Sequence, residues 1–376
     1  LTLMKPTAEM ACLEGGRDYY LLVETATSEA SWTMMNLHHY NPLLRRHTFW
    51  DSKKDDVFEL SWYEDSLQGM AARVMINGRE MILPLGENND GELCFFSTDG
   101  LDTMSLEDTA ADDRLTAWLD QVILDTGGLR VEATGFAYAH AYARNGGMDR
   151  ATFYDTTSAG DKTAKIKVKS EPQFSHVKMI APQTSVRAKF FESVEVFADG
   201  IGDTAILYDS PRDDTFTGSL NYGRMTGPGY DVTVWGFPFI WAYSKNGGYD
   251  RVRFVDSIMK DEFSFKPHKS ELFDQVSGGS IYHIVARGFD HILAEVTTAT
   301  GQRNKAAVWD TLFSDDIEAS GNRLTLSRIT SHTEQLLEIR GFEFVKIRSS
   351  SGGDDRITIR QPLEMELTIG EGWQII

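Results

Sequence analysis

Phe191 to Phe237, FESVEVFADGIGDTAILYDSPRDDTFTGSLNYGRMTGPGYDVTVWGF, reads as strand, glycine turn, strand, acidic turn and strand. Val194 and Val196, then Ala205 and Leu207, alternate with polar residues at period two, as a half-buried strand requires. Gly-x-Asp and Pro-Arg-Asp-Asp supply turn residues between them. The same unit recurs from Gly135 to Asp161, Gly236 to Phe263 and Gly288 to Ile317. In all four, six residues separate the first turn residue from the Asp of an aromatic-Asp pair: Asp149 to Asp155, Asp203 to Asp209, Asp250 to Asp256, Asn304 to Asp310. Weaker copies lie at residues 341–359, 86–104, 15–24 and 49–58, giving about seven units. The equivalent positions 149, 203, 250, 304 and 355 are 54, 47, 54 and 51 apart, a period that marks solenoids, propellers or arrays.

The chain is therefore expected to be all-β, a single repeat-built domain over residues 1–376 with an insertion at 25–48. A right-handed parallel β-helix or β-solenoid absorbs variable unit lengths and that insertion more easily than the alternative, a closed seven-bladed propeller. The chain opens inside a unit, which reads as a segment of a longer array. Residues Asp113 to Leu124 read equally as a helix, with Leu115, Trp118, Leu119, Val122 and Ile123 at helical spacing, or as a strand of the third unit.

The 376 residues carry 37 Lys+Arg against 56 Asp+Glu, a formal charge of −19. Such a chain repels phosphate backbones, and with no basic stripe apparent along it nucleic acid is excluded as a partner. No apolar run approaches the ~20 residues of a spanning helix, so no membrane insertion is expected. Two cysteines, Cys12 and Cys94, exclude a disulfide scaffold and are expected to be buried thiols.

Tyr208-Asp209-Ser210 with Asp213-Asp214-Thr215-Phe216 carries a GGxDxAxLYDSxGDDTF-type pattern. It resembles a tandem repeat of large exported proteins of environmental bacteria and, less closely, Gly/Asp-rich calcium β-roll repeats. Arg212 and Lys260 stand where that pattern has glycine. The resemblance implies an extracellular or cell-envelope setting and a solenoid-like body, and no established activity.

Paired acids recur at the second turn. Asp213 and Asp214, Asp261 and Glu262, and Asp315 and Asp316, stacked at one corner, would suit Ca²⁺, which takes six to eight oxygens; the competing reading is acids that cap turn N–H groups. The aromatic-Asp step at Asp51, Asp155, Asp209 and Asp310 is read as a turn former, since catalysis needs one site and not one per unit. The Asp149-Arg150, Asp250-Arg251 and Asp355-Arg356 turns could stack as a ladder or an anion groove, or pair locally. The residues that break the repeat are His38, His39, Tyr40, Arg45, Arg46 and His47, which could supply a base and a charge neutraliser for an acidic polysaccharide, or simply cap the array. The chain is accordingly read as a non-catalytic structural or adhesive module, with polysaccharide, other envelope proteins or a second copy as partners. The alternative is a polysaccharide lyase-like β-helix enzyme.

Overall fold

The computed structural model describes residues 37–41, 43–65, 69–85, 91–157, 167–171, 176–198, 202–274, 282–297, 303–329, 334–349 and 352–376. Every regular element among them is a strand. Among the described residues no helix is long and apolar enough to cross a membrane. The strands form two sheets, of 18 and 16 strands, and neither closes on itself. The ladders run across unit boundaries, so separate four-stranded blades do not form.

The chain alternates between the sheets by a fixed rule. In the unit opening at Asp214, Thr215–Ser219, Tyr222–Gly227 and Tyr230–Trp235 form an antiparallel meander in the 18-stranded sheet. Phe239–Tyr243 then crosses to the 16-stranded sheet, and Arg251–Val255 returns. The next unit does the reverse, placing its meander, Asp261–Lys266, Lys269–Asp274 and His283–Arg287, in the 16-stranded sheet. Each meander doubles back along the stack. Its last strand pairs in parallel with the preceding unit, as Val194 opposite Val232, and its first with the strand that closes its own unit, as Phe216 opposite Val252. Because alternate units swap sheets, the true repeat is two units: Asp113, Asp214 and Asp315 are each 101 residues apart and occupy equivalent places.

Alternation fixes which side chains go inside. Along Thr215–Ser219 and Arg251–Val255, Phe216, Val252 and Phe254 point inward, and each is at most 2% exposed. One core fills the space between the sheets, with Phe49, Phe95, Phe153, Phe263 and Ile347 among its members. Each such side chain taken from water stabilises the fold by roughly 1.5–3 kcal/mol. On the outer face in-register pairing stacks like on like: Trp118, Tyr154, Phe197 and Trp235 form a ring ladder with centroids 5.5, 5.4 and 6.4 Å apart.

The segment 113–124 resolves as two antiparallel strands, Asp113–Ala117 and Gln121–Thr126, paired through Thr116 and Ile123, so its helical alternative is excluded. The body of the 25–48 insertion lies outside the described residues, as does Cys12; its end forms the edge hairpin Leu37–Asn41 with Arg46–Trp50. Cys94 is a buried free thiol, pushed up to about 11 by that burial.

Candidate functional site

The motif Asp-Ser/Thr-x-x-x-Asp, which opens at Asp51, Asp108, Asp209, Asp256 and Asp310 and is one residue longer from Asp155 to Asp161, builds the densest chemistry among the described residues. The Ser/Thr backbone N–H donates to the carboxylate four residues on: Ser52 to Asp56, Thr109 to Asp113, Ser210 to Asp214 and Ser257 to Asp261 at 2.6 Å, and Thr311 to Asp315 at 2.7 Å. The backbone N–H of that second Asp donates in turn to a residue of the next crossing. Asp56 reaches Asp102, Asp113 reaches Asp149, Asp214 reaches Asp250, Asp261 reaches Asn304 and Asp315 reaches Asp355, at 2.7–3.0 Å.

The first Asp of the motif caps another turn of the stack. Asp209 accepts from the N–H groups of Lys245 and Asn246, Asp108 from Asn145, Asp51 from Thr98 and Asp99, and Asp256 from Thr297. Each unit thus gathers a buried trio: Asp51, Asp56 and Asp102; Asp108, Asp113 and Asp149; Asp209, Asp214 and Asp250; Asp256, Asp261 and Asn304; Asp310, Asp315 and Asp355. In the third unit Asp155 and Asp203 are both buried, while Asp161 lies outside the described residues.

Three carboxyls cannot all ionise cheaply in a dry interior. Burial, with neighbouring acids adding to it, pushes Asp102, Asp149 and Asp250 up to about 6. Asp108, Asp113, Asp209, Asp261, Asp315 and Asp355 are also raised, chiefly by burial. Asp51 is shifted the other way. Burial would raise it, but the N–H groups of Thr98 and Asp99 hold it below the usual carboxylate range.

The trios are relieved differently, from two places on the meander strands: Tyr230 and Tyr282 stand at or directly before the start of the third strand, and Arg328 on the second strand directly opposite its trio Asp. Tyr230 donates its hydroxyl to Asp214 at 2.8 Å and Tyr282 donates to Asp261. Gly227 makes room for the former, since a Cβ there would lie 1.7 Å from Asp214 Oδ1. In the last full unit the fully buried Arg328 places Nε 3.1 Å from Asp315 Oδ1 and donates to the Trp309 carbonyl. In the second unit Leu129 occupies the place of Tyr230, and Thr126 that of Arg328. There the ligand atoms of Asp108, Asp113 and Asp149 lie within 4.8 Å of one another.

The paired acids of the sequence split. Asp214, Asp261 and Asp315 are buried in trios, whereas Asp213 and Asp316 are exposed and Glu262 half-buried; Asp213 accepts from the Tyr249 N–H. The six are therefore not gathered into one ligand row. Even the Asp108 trio fits Ca²⁺ poorly. Asp108 accepts a backbone N–H on both oxygens and Asp113 and Asp149 on one each, which leaves fewer than the six to eight oxygens that Ca²⁺ takes. The Asp-Arg turns divide likewise, with Asp149, Asp250 and Asp355 buried and Arg150, Arg251 and Arg356 exposed.

The basic insertion residues sit on the edge hairpin. His38 Nε2 lies 3.0 Å from His47 Nδ1, and His38 stacks on both His47 and the core residue Phe49, while Tyr40 stacks on His47. Burial lowers His38, and lowers His47 to about 4. Arg46 is paired with Glu92. His39 and Arg45 are exposed.

Tyr230, Tyr282 and Arg328 were missed in sequence. The available signal was a polar residue at an inward place: Leu324, Leu326 and Arg328 alternate on one strand, and Arg328 alone is charged.

No family model matches the chain, and no curated protein or solved structure matches it.

Proposed function

We propose that the chain is a non-catalytic repeat module of a large exported bacterial protein, a two-sheet β-solenoid serving a structural or adhesive role at the cell envelope or outside it. One observation carries this reading: the residues that recur most strictly are spent on holding one turn of the stack to the next. Catalysis requires an accessible nucleophile, acid or base, whereas the trio acids are buried and engaged with backbone N–H groups. By ladder spacing the 16-stranded sheet extends roughly 70 Å, a length suited to a spacer.

The lyase alternative rests on His38, His39, Tyr40, Arg45, Arg46 and His47; at the sheet edge His38 stacks on Phe49 and on His47, and Arg46 pairs with Glu92. Incubation with polyuronates, followed by ultraviolet absorbance of unsaturated products, tests the choice. The expected result is no release. Product formation that His47→Ala abolishes would overturn the non-catalytic reading.

A further inference from the structure

The charge average hides a local reversal. Residues 162–189 contain seven Lys+Arg and one acid, Glu171, within a chain of net charge −19. The fold spreads the described members of this group over one outer face. Lys169 lies opposite Lys178, Lys178 opposite Arg187, and Arg187 opposite His140, so four basic side chains form a row across four neighbouring strands. Lys167 and Lys189 stand two residues to either side of it. The alternate positions, Val177, Met179, Val186, Ala188, Ala139 and Ala141, are buried in the core, which fixes the basic set outward.

Among the described residues, no carboxylate pairs with Lys167, Lys169 or Lys178. Arg187 donates to the Tyr142 hydroxyl at 2.5 Å, and its buried Nε has no hydrogen-bond partner. Arg144 lies over the Tyr142 ring at 4.4 Å and reaches Glu107 only at 4.0 Å. Beyond Lys169 the row continues into Ile206 and Trp241, flanked by the stacked pair Tyr208 and Tyr243, with Lys245 4.4 Å from the latter ring. His140 registers the local field: burial and the surrounding Arg187, Lys178, His176 and Lys189 lower it to about 4.

We propose that this face of the 16-stranded sheet binds a carboxylate-bearing polysaccharide, with Lys169, Lys178 and Arg187 contacting the acid groups and the aromatic flank contacting the sugar rings. The inference deepens the adhesive reading above and rests on it. Basic side chains recur at the strand spacing of about 4.8 Å, which suits a polymer carrying one carboxylate per sugar. Arg187 offers the fork that a carboxylate matches. Duplex DNA, with a charge about every 1.7 Å of its axis, is repelled by the acidic remainder of the molecule more strongly than a polymer with one carboxylate per sugar.

The test is titration of the intact chain with polygalacturonate, its fully methyl-esterified form, duplex DNA and anionic lipid vesicles at low salt. The expected result is binding to polygalacturonate alone, weakening as salt rises, and reduced at least tenfold by Lys169→Glu with Lys178→Glu. A matched reversal elsewhere, Lys53→Glu with Lys54→Glu, should leave it unchanged, and thermal melting confirms that both variants fold. Absence of polygalacturonate binding, equal loss in both variants, equal affinity for the methyl ester, or tighter binding to DNA or vesicles overturns the proposal. None of these outcomes produces unsaturated product, so failure here leaves the non-catalytic reading standing.

Discussion

The backbone N–H of Asp113 donates to Oδ1 of Asp149 at 2.8 Å, and 101 residues later Asp214 donates to Asp250 at the same distance. The contact places two carboxyls side by side in the core, and it is the fold's means of fastening a turn to the next crossing. Its cost is electrostatic. A raised native pKa means that the folded chain keeps a proton which the unfolded chain releases near 3.8. This contribution to stability is therefore lost as pH climbs from about 4 to about 6, and the penalty is complete above that.

Asp149→Asn keeps the acceptor for the Asp113 N–H and removes the charge, as Asn304 already does opposite Asp261. Denaturant unfolding should show the variant about 1–2 kcal/mol more stable than the parent at pH 8, against a ceiling of about 3 kcal/mol for two pKa units. The difference should fall to about half at pH 5 and vanish only below about pH 4. A loss at both pH values would show that the carboxylate is needed as a charge.

Arg328 is the one cation among Asp310, Asp315 and Asp355, and its guanidinium also lies 4.6 Å from the Phe265 ring. Arg328→Met leaves buried acids without a counter-charge and should cost about 3–5 kcal/mol at pH 8. The loss should be smaller at pH 5, since burial raises Asp315 and Asp355 toward the protonated form. A cost independent of pH would reduce Arg328 to a packing residue.

Gly236 tests how tightly consecutive turns abut. It sits at φ +79°, and a Cβ would lie 1.5 Å from the Ala198 carbonyl oxygen of the neighbouring turn. Gly236→Ala should cost about 3 kcal/mol or more. Gly146, at φ +101° but with open space around it, should cost only the backbone strain of about 1–2 kcal/mol when changed to Ala. Equal losses in melting experiments would remove the steric argument.

Calcium is tested by melting in excess Ca²⁺ and in EDTA, since a ligand of the native state raises stability by RT ln(1 + [L]/Kd). With the Asp108 and Asp113 carboxylates already engaged by backbone N–H groups, the two midpoints should agree within a degree or so. A rise of several degrees that Asp108→Asn abolishes would assign that trio to a cation.

The strands and turns were legible because Val194, Val196, Ala205 and Leu207 alternate and because Asp and Gly punctuate them at fixed steps. The swap between sheets was not: a half-buried strand has the same period in either sheet, so only the 101-residue spacing of Asp113, Asp214 and Asp315 carries it. The helical spacing of Leu115, Trp118 and Val122 arose from two strands folded over a tight turn, with Trp118 stacked outward on Tyr154. For the acids, sequence showed pairs but not which member is buried. Asp213 and Asp214 are neighbours in a strand-like turn, and one faces solvent while the other faces the core. The basic face escaped because a whole-chain charge of −19 averages away seven cations in 28 residues.

The most direct test of the account is a carbon-detected NMR titration of the aspartate carboxyls in the folded chain. Asp102, Asp149 and Asp250 should titrate near pH 6 and should not shift when Ca²⁺ is added. Titration of all three below pH 4, or their displacement by Ca²⁺, would contradict the view that these buried acids fasten the turns of the stack and hold their protons up to about pH 6.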